Sequence, residues 1–222
     1  MLSAVTAERT IATTTHGRYL VDIASSEQPT PLLVGFHGYA ENAALQLDRL
    51  RAIRPAVDWT LASIQGLHRF YRAMNDEVIV ASWMTREDRE LAIGDNIAFV
   101  DAVIDAVAVE SSRAPTVIYA GFSQGASMAY RAAALCAPTR SGVIALGGDI
   151  PPELTAEALS RVAFALVGRG TLDRYYDEEK RDIDVRRLRD AGVDVEVVQV
   201  NGGHKWTEPF SDACADWLRR RA

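Results

Sequence analysis

Six short apolar runs recur along the chain and alternate with segments of helical period, and this alternation constrains the fold more than any other feature. The runs are "PLLVGFHG", "WTLASI", "TVIYAG", "GVIALGG", "VAFALVG" and "VDVEVVQV". Near-continuous apolar character suits strands covered on both faces, as in a parallel sheet. The intervening segments are "ENAALQLDRLRAI", "DRELAIGDNIAFVDAVIDAVAVE", "QGASMAYRAAALCA", "YYDEEKRDIDVRRLRDAG" and "TEPFSDACADWLRRR". In the longest, Ile93, Ile97, Val100, Ile104 and Val107 fall on one helical face, and Asp95, Asp101 and Asp105 lie off it. Near the start, "RTIATTT" and "RYLVDIA" are β-prone and flank His16-Gly17, which predicts a hairpin. The expected class is α/β: a mostly parallel, doubly wound sheet with helices on both faces and an N-terminal β-hairpin. Residues 1–222 read as a single domain, without repeat, low-complexity tract or linker.

Charge and cysteine usage exclude several function classes. The net charge of −6 comes from interspersed acidic and basic residues, so nucleic acid is not an expected partner. The two cysteines, Cys136 and Cys214, fall in separate helical segments and read as reduced packing residues, not as a disulfide or zinc framework. "MLSAVTAERTIATTT" lacks a basic head followed by an apolar run, so no leader is expected. "IAFVDAVIDAVAV" is broken by Asp101 and Asp105 and is too short to span a bilayer. A soluble, cytoplasmic protein without a transmembrane segment is the expectation. The histidines are scattered, and no H-E-x-x-H, dinucleotide or phosphate-loop pattern occurs, so no metal site is predicted.

One junction carries chemistry. The strand-like "TVIYA" runs through "GFSQG" into a helix, with Ser123 between Gly121 and Gly125. Small neighbours permit a sharp turn that presents the serine hydroxyl at the carboxyl edge of the sheet, the arrangement of a nucleophile elbow. Simple helix capping by Ser123 is the plainer alternative. A serine hydroxyl needs a base and a group to orient that base. His204 in "VNGGHKW", between the last strand and the last helix, is the expected base, and His68 in the aromatic loop is its rival. Asp173 in "GRGTLD" follows a strand on the same edge and is the expected acid, with helix capping as its alternative role. Asp149 in "LGGDIP" is the rival acid. Ser123, Asp173 and His204 follow the chain order of α/β-hydrolases. In "GFHGYAEN", the backbone N–H of Tyr39 together with that of Gln124 would form an oxyanion hole, and His37 would hold that loop.

The pieces "FHGYAEN", "GFSQGASMAYRAA", "LGGDIP", "GRGTLD" and "NGGHKW" resemble the serine carboxylesterase, phospholipase and acyl-protein thioesterase family of small α/β-hydrolases. Their order and spacing match the family from residue 32 to the C-terminus. The resemblance implies an α/β-hydrolase fold, a Ser123–His204–Asp173 triad, an oxyanion loop at Gly38 and Tyr39, and no cofactor. The segment "LHRFYRAMNDEVIVASWMTREDRE" looks more like that of the bacterial carboxylesterases than of the eukaryotic thioesterases. Its Phe70, Tyr71, Trp83 and Met84 are candidates for the substrate pocket, with core packing as the alternative; Arg69, Arg72 and Arg86 read as solvated. The expected function is hydrolysis of carboxylic esters through an acyl-enzyme on a small-molecule ester. The alternatives are a thioesterase, lysophospholipase or amidase/peptidase with the same triad, or a non-catalytic member that binds a small ligand. A homodimer is left open.

Overall fold

The computed structural model describes residues 6–26, 28–53, 59–111, 113–136 and 140–221. The first five residues of the N-terminal segment read as leaderless, and Ala137 at the end of one helical pattern, lie outside them. The strands, numbered in chain order, are β1 (Arg18–Asp22), β2 (Thr30–Phe36), β3 (Thr60–Gln65), β4 (His68–Tyr71), β5 (Ile79–Ser82), β6 (Arg113–Phe122), β7 (Arg140–Leu146), β8 (Val162–Gly170) and β9 (Asp194–Val200). The helices are α1 (Ala43–Ala52), α2 (Arg89–Glu110), α3 (Gln124–Leu135), α4 (Ala156–Leu159), α5 (Glu178–Asp190) and α6 (Glu208–Arg219). Seven strands form one sheet in the order β1-β3-β2-β6-β7-β8-β9. All neighbouring pairs are parallel except β1 with β3.

Five of the apolar runs become inner strands buried on both faces, whereas "VDVEVVQV" becomes the edge strand β9, which is only partly buried. Along β2, Leu32, Val34 and Phe36 point into one core and Leu33 into the other; β6 divides Val117 and Tyr119 from Ile118, Ala120 and Phe122 in the same way. The first core is closed by α2, α3 and α5 through residues such as Val103, Met128 and Leu188. The second is closed by α1 and α6 through Leu47, Leu50, Phe210 and Trp217. Helices on both faces of a mostly parallel sheet make this the expected doubly wound α/β architecture. Both cysteines are buried and form no disulfide, and burial pushes their thiols up out of the reactive range. Among the described residues, no helix is long and apolar enough to cross a membrane.

Two local expectations are corrected. The N-terminal hairpin does not form: residues 6–17 carry no strand, and β1 pairs antiparallel with β3 from Arg18↔Gln65 to Asp22↔Leu61. "RTIATTT" offers one large apolar side chain, Ile11, which is 92% exposed, so a hairpin there would bury almost nothing. Tyr19, Leu20 and Val21 instead pack on the two cores by joining the sheet edge. The aromatic segment is also not a plain loop, because β4 and β5 pair as an antiparallel ribbon. Backbone bonds from Ala40 N–H to the Ala81 carbonyl (3.1 Å) and from Ala81 N–H to the Glu41 carbonyl (2.8 Å) fasten it to the loop after β2.

Candidate active site

Because β2, β6, β7, β8 and β9 are parallel neighbours, the loops that leave their carboxyl ends share one rim. Ser123 follows β6 directly and adopts φ 55°, ψ −121°, a conformation that L-residues rarely occupy. Packing imposes it. A Cβ on Gly121 would collide with the Gly125 carbonyl, and one on Gly125 would collide with the Phe36 and His37 carbonyl oxygens. Both glycines therefore let α3 start hard against β6 and the end of β2. Ser123 N–H donates to the Leu146 carbonyl at 2.8 Å, which fixes the elbow to β7. The serine side chain makes no helix-capping bond, contrary to the plainer reading of its position.

Instead, Ser123 Oγ lies 2.8 Å from His204 Nε2, and His204 Nδ1 lies 2.7 Å from Asp173 Oδ2. With a carboxylate accepting at Nδ1, the ring proton sits there and Nε2 accepts from the hydroxyl. Asp173 is 4% exposed, and its other oxygen accepts from the N–H groups of Tyr175 (2.9 Å) and Tyr176 (3.0 Å). Helix capping falls to Asp177, whose side chain accepts from Lys180 N–H. The rival groups take other places: Asp149 is half-exposed on the cleft wall with its carboxylate 3.7 Å from Lys180, and His68 is exposed on β4. The His204 ring is packed between Phe122 (4.9 Å between centroids) and Tyr175 (5.0 Å).

His37 is fully buried and holds its loop on both sides, with Nδ1 2.7 Å from the Gly38 carbonyl and Nε2 accepting from Gly66 N–H at 3.0 Å. Burial, partly offset by the Gly38 bond, lowers its pKa and keeps it neutral. Trp83 donates its indole N–H to the His37 carbonyl at 2.8 Å. The Gln124 side chain ties the start of α3 to the end of β5, accepting from Trp83 N–H (3.1 Å) and donating to the Met84 carbonyl (3.0 Å). As the first residue of α3, Gln124 has a backbone N–H that no carbonyl of its own helix can reach.

An open cleft of about 510 Å³ lies over Ser123 and His204, between Tyr39 on one side and Tyr175, Gly148 and Asp149 on the other. Its walls differ from the four aromatic-segment candidates. Trp83 is a fully buried core residue, and Met84 packs on the core while its carbonyl serves Gln124. Phe70 lies behind Tyr39, with ring centroids 5.8 Å apart, and Tyr71 is exposed on the ribbon. Tyr175 is 74% exposed at the cleft and Tyr176 is buried. Sequence reasoning missed Ser127 and the Gly147–Gly148 wall; "LGGDIP" directly after a strand was the available signal. It also missed Glu41 and Arg49. Glu41 Oε2 accepts from Gly38 N–H at 2.8 Å, and Arg49 binds both oxygens of that carboxylate.

A strained serine between strand and helix at the rim of such a sheet defines an α/β hydrolase. A model of the phospholipase/carboxylesterase family matches residues 20–219, and the chain belongs to that family of hydrolases. Solved structures share the fold. A carboxylesterase from Mesorhizobium loti is 19% identical, with a TM-score of 0.71 over 91% of this chain and 94% of its own. Esterase PE8 is 22% identical, with a TM-score of 0.69 over 92% and 98%. Acyl-protein thioesterase 2 from Zea mays is 17% identical, with a TM-score of 0.68 over 92% and 99%. A search of curated protein sequences found no match.

Proposed function

We propose that this chain is a serine esterase that cleaves small carboxylic esters. The observation that carries the reading is the continuous relay from Ser123 Oγ through His204 to buried Asp173, at 2.8 and 2.7 Å. In the reaction, His204 Nε2 takes the Ser123 proton as Oγ attacks the ester carbonyl carbon. Asp173 stabilises the imidazolium that results. The N–H groups of Tyr39 and Gln124 receive the oxyanion; losing one such donor typically costs about 2.7–4 kcal/mol of transition-state stabilisation. The intermediate collapses, His204 protonates the departing alcohol, and the acyl group remains on Ser123. Water then attacks with His204 as base, which releases the acid and restores the serine. The open cleft flanked by Tyr39 and Tyr175 favours short acyl groups over a long chain, which would find no enclosed wall to cover it.

The test is a fluorophosphonate probe with mass mapping, followed by p-nitrophenyl esters of increasing acyl length and matched thioester and amide substrates. One adduct on Ser123, no adduct in Ser123→Ala, and fastest turnover of short esters are expected. An adduct on another residue refutes the site. Resistance of the folded wild type to the probe refutes hydrolysis and favours a ligand-binding role, and preference for the matched thioester replaces the ester reading with thioesterase activity.

A further inference from the structure

Arg49 on α1 reaches toward three of the four segments that the esterase reading uses, those that carry Tyr39, Ser123 and His204. Its guanidinium meets Glu41 at both ends, with Nη1 2.6 Å from Oε2 and Nη2 2.7 Å from Oε1, and Nη1 is 3.2 Å from Gln46 Oε1. The pair is sheltered, with side-chain exposures of 14% and 18%. Glu41 Oε2 also accepts from Gly38 N–H, so the ion pair holds the His37–Gly38 peptide, one unit before the Tyr39 N–H. Burial alone would push the Glu41 carboxyl up, but the Arg49 bonds, the Arg49 charge and Gly38 N–H outweigh it and keep the group ionised.

The faces of the guanidinium are used as well. Its carbon lies 4.8 Å from the centroid of Phe122 and 5.8 Å from that of Trp206. Phe122 immediately precedes Ser123 and packs on the His204 ring; Trp206 lies two residues beyond His204. One planar cation thus bonds edge-on to the loop after β2 and packs against the aromatics beside the serine and the histidine. A bidentate, flat group is required for this, and an ammonium can supply neither property.

We propose that Arg49 is a positioning residue for acyl transfer, fixing the His37–Gly38 peptide that leads into Tyr39, the Ser123 elbow and the His204 loop relative to one another through Glu41, Phe122 and Trp206. It rests on the esterase reading and adds to it a requirement for a side chain that never reaches substrate. Its effect is on geometry at the transition state, where a misplacement near 1 Å costs about 100-fold in rate.

The experiment compares wild type, Arg49→Met, Arg49→Lys, Glu41→Gln and the Glu41→Gln/Arg49→Met double variant. Each is read for kcat and KM on a short p-nitrophenyl ester, for inhibition by an alkylboronic acid that forms a tetrahedral adduct on the serine, and for thermal midpoint. Active sites are counted by fluorophosphonate titration, so misfolded protein is not scored as slow enzyme. Arg49→Met is expected to lower kcat per titrated site by about 100-fold with KM little changed, and to weaken boronate binding in parallel. Arg49→Lys should recover only part of the loss, and the double variant should be no slower than Arg49→Met because the pair acts as a unit. Should Arg49→Met not fold, Arg49→Lys and Glu41→Gln carry the comparison through the same kcat and boronate readouts. Unchanged kcat per site, or a boronate affinity that does not follow kcat, overturns the proposal. Wild type that neither titrates nor turns over ester overturns the esterase reading instead.

Discussion

Asp184 gives the sharpest quantitative test of the packing behind the site. It lies on α5 at 3% exposure, and its Oδ2 accepts from Ile150 N–H (3.1 Å) and the Tyr176 hydroxyl (3.0 Å). It therefore joins the loop after β7 to the loop after β8, where Tyr176 N–H also holds Asp173. Burial is the largest influence on this carboxyl, and with the nearby Asp149 charge it pushes the pKa up to about 6 from 3.8, against the two hydrogen bonds and Arg187. The folded pKa exceeds the unfolded one, so the folded state binds this proton more tightly. The group's contribution to stability is then fullest below about pH 4 and falls as pH rises toward and through 6. The difference corresponds to about 3 kcal/mol lost by pH 7. Asp184→Asn keeps an oxygen for Ile150 and Tyr176 but cannot ionise. Urea unfolding of both proteins at a series of pH values, at constant ionic strength, isolates Asp184 with its Asp149 neighbour, because titration of the carboxylates remote from it cancels in the difference. The stability of Asp184→Asn relative to wild type should rise by up to about 3 kcal/mol between about pH 4 and pH 7. A difference that stays flat, or that falls with pH, refutes the argument.

Three further outcomes are expected. Asp173→Asn should keep the bonds from Tyr175 and Tyr176 but turn an N–H toward His204 Nδ1, forcing the ring proton to Nε2; kcat should fall by about 10⁴-fold without loss of fold, checked by steady-state kinetics and circular dichroism. Gly125→Ala drives a methyl group into the Phe36 and His37 carbonyls, so soluble yield and thermal midpoint should drop far more than for Gly94→Ala, where a Cβ meets nothing within 4 Å. Trp83→Phe leaves the His37 carbonyl without its 2.8 Å donor, which should cost about 1–3 kcal/mol in urea unfolding.

How much was legible in the sequence depended on how local the physics was. The strands of the parallel sheet stood out because burial on both faces leaves little room for polar residues, and "GFSQG" announced its turn because only small residues fit around Ser123. Ser123, Asp173 and His204 could be matched because each follows an apolar strand on the same edge, in the chain order known for α/β-hydrolases. Pairing at a distance was less visible. "RTIATTT" is β-prone, yet β1 found its partner in β3, and no local pattern encodes that choice. An aromatic composition could not distinguish Trp83, plugged into the core, from Tyr39 and Tyr175 at the cleft, because both roles use the same ring. Glu41 and Arg49 were silent for the same reason: an acid eight positions before an arginine is ordinary until the turn into α1 brings them together.

The backbone at residue 123 holds the hydroxyl that the esterase reading takes as nucleophile at an energetic disadvantage. A dihedral pair that suits glycine is occupied by a bulkier residue, one that has an oxygen to offer. Glycine at that corner would relieve the tension, so on the esterase reading a more heat-resistant protein would also be an inert one, and breeding this scaffold for ruggedness alone would tend to erase the proposed chemistry.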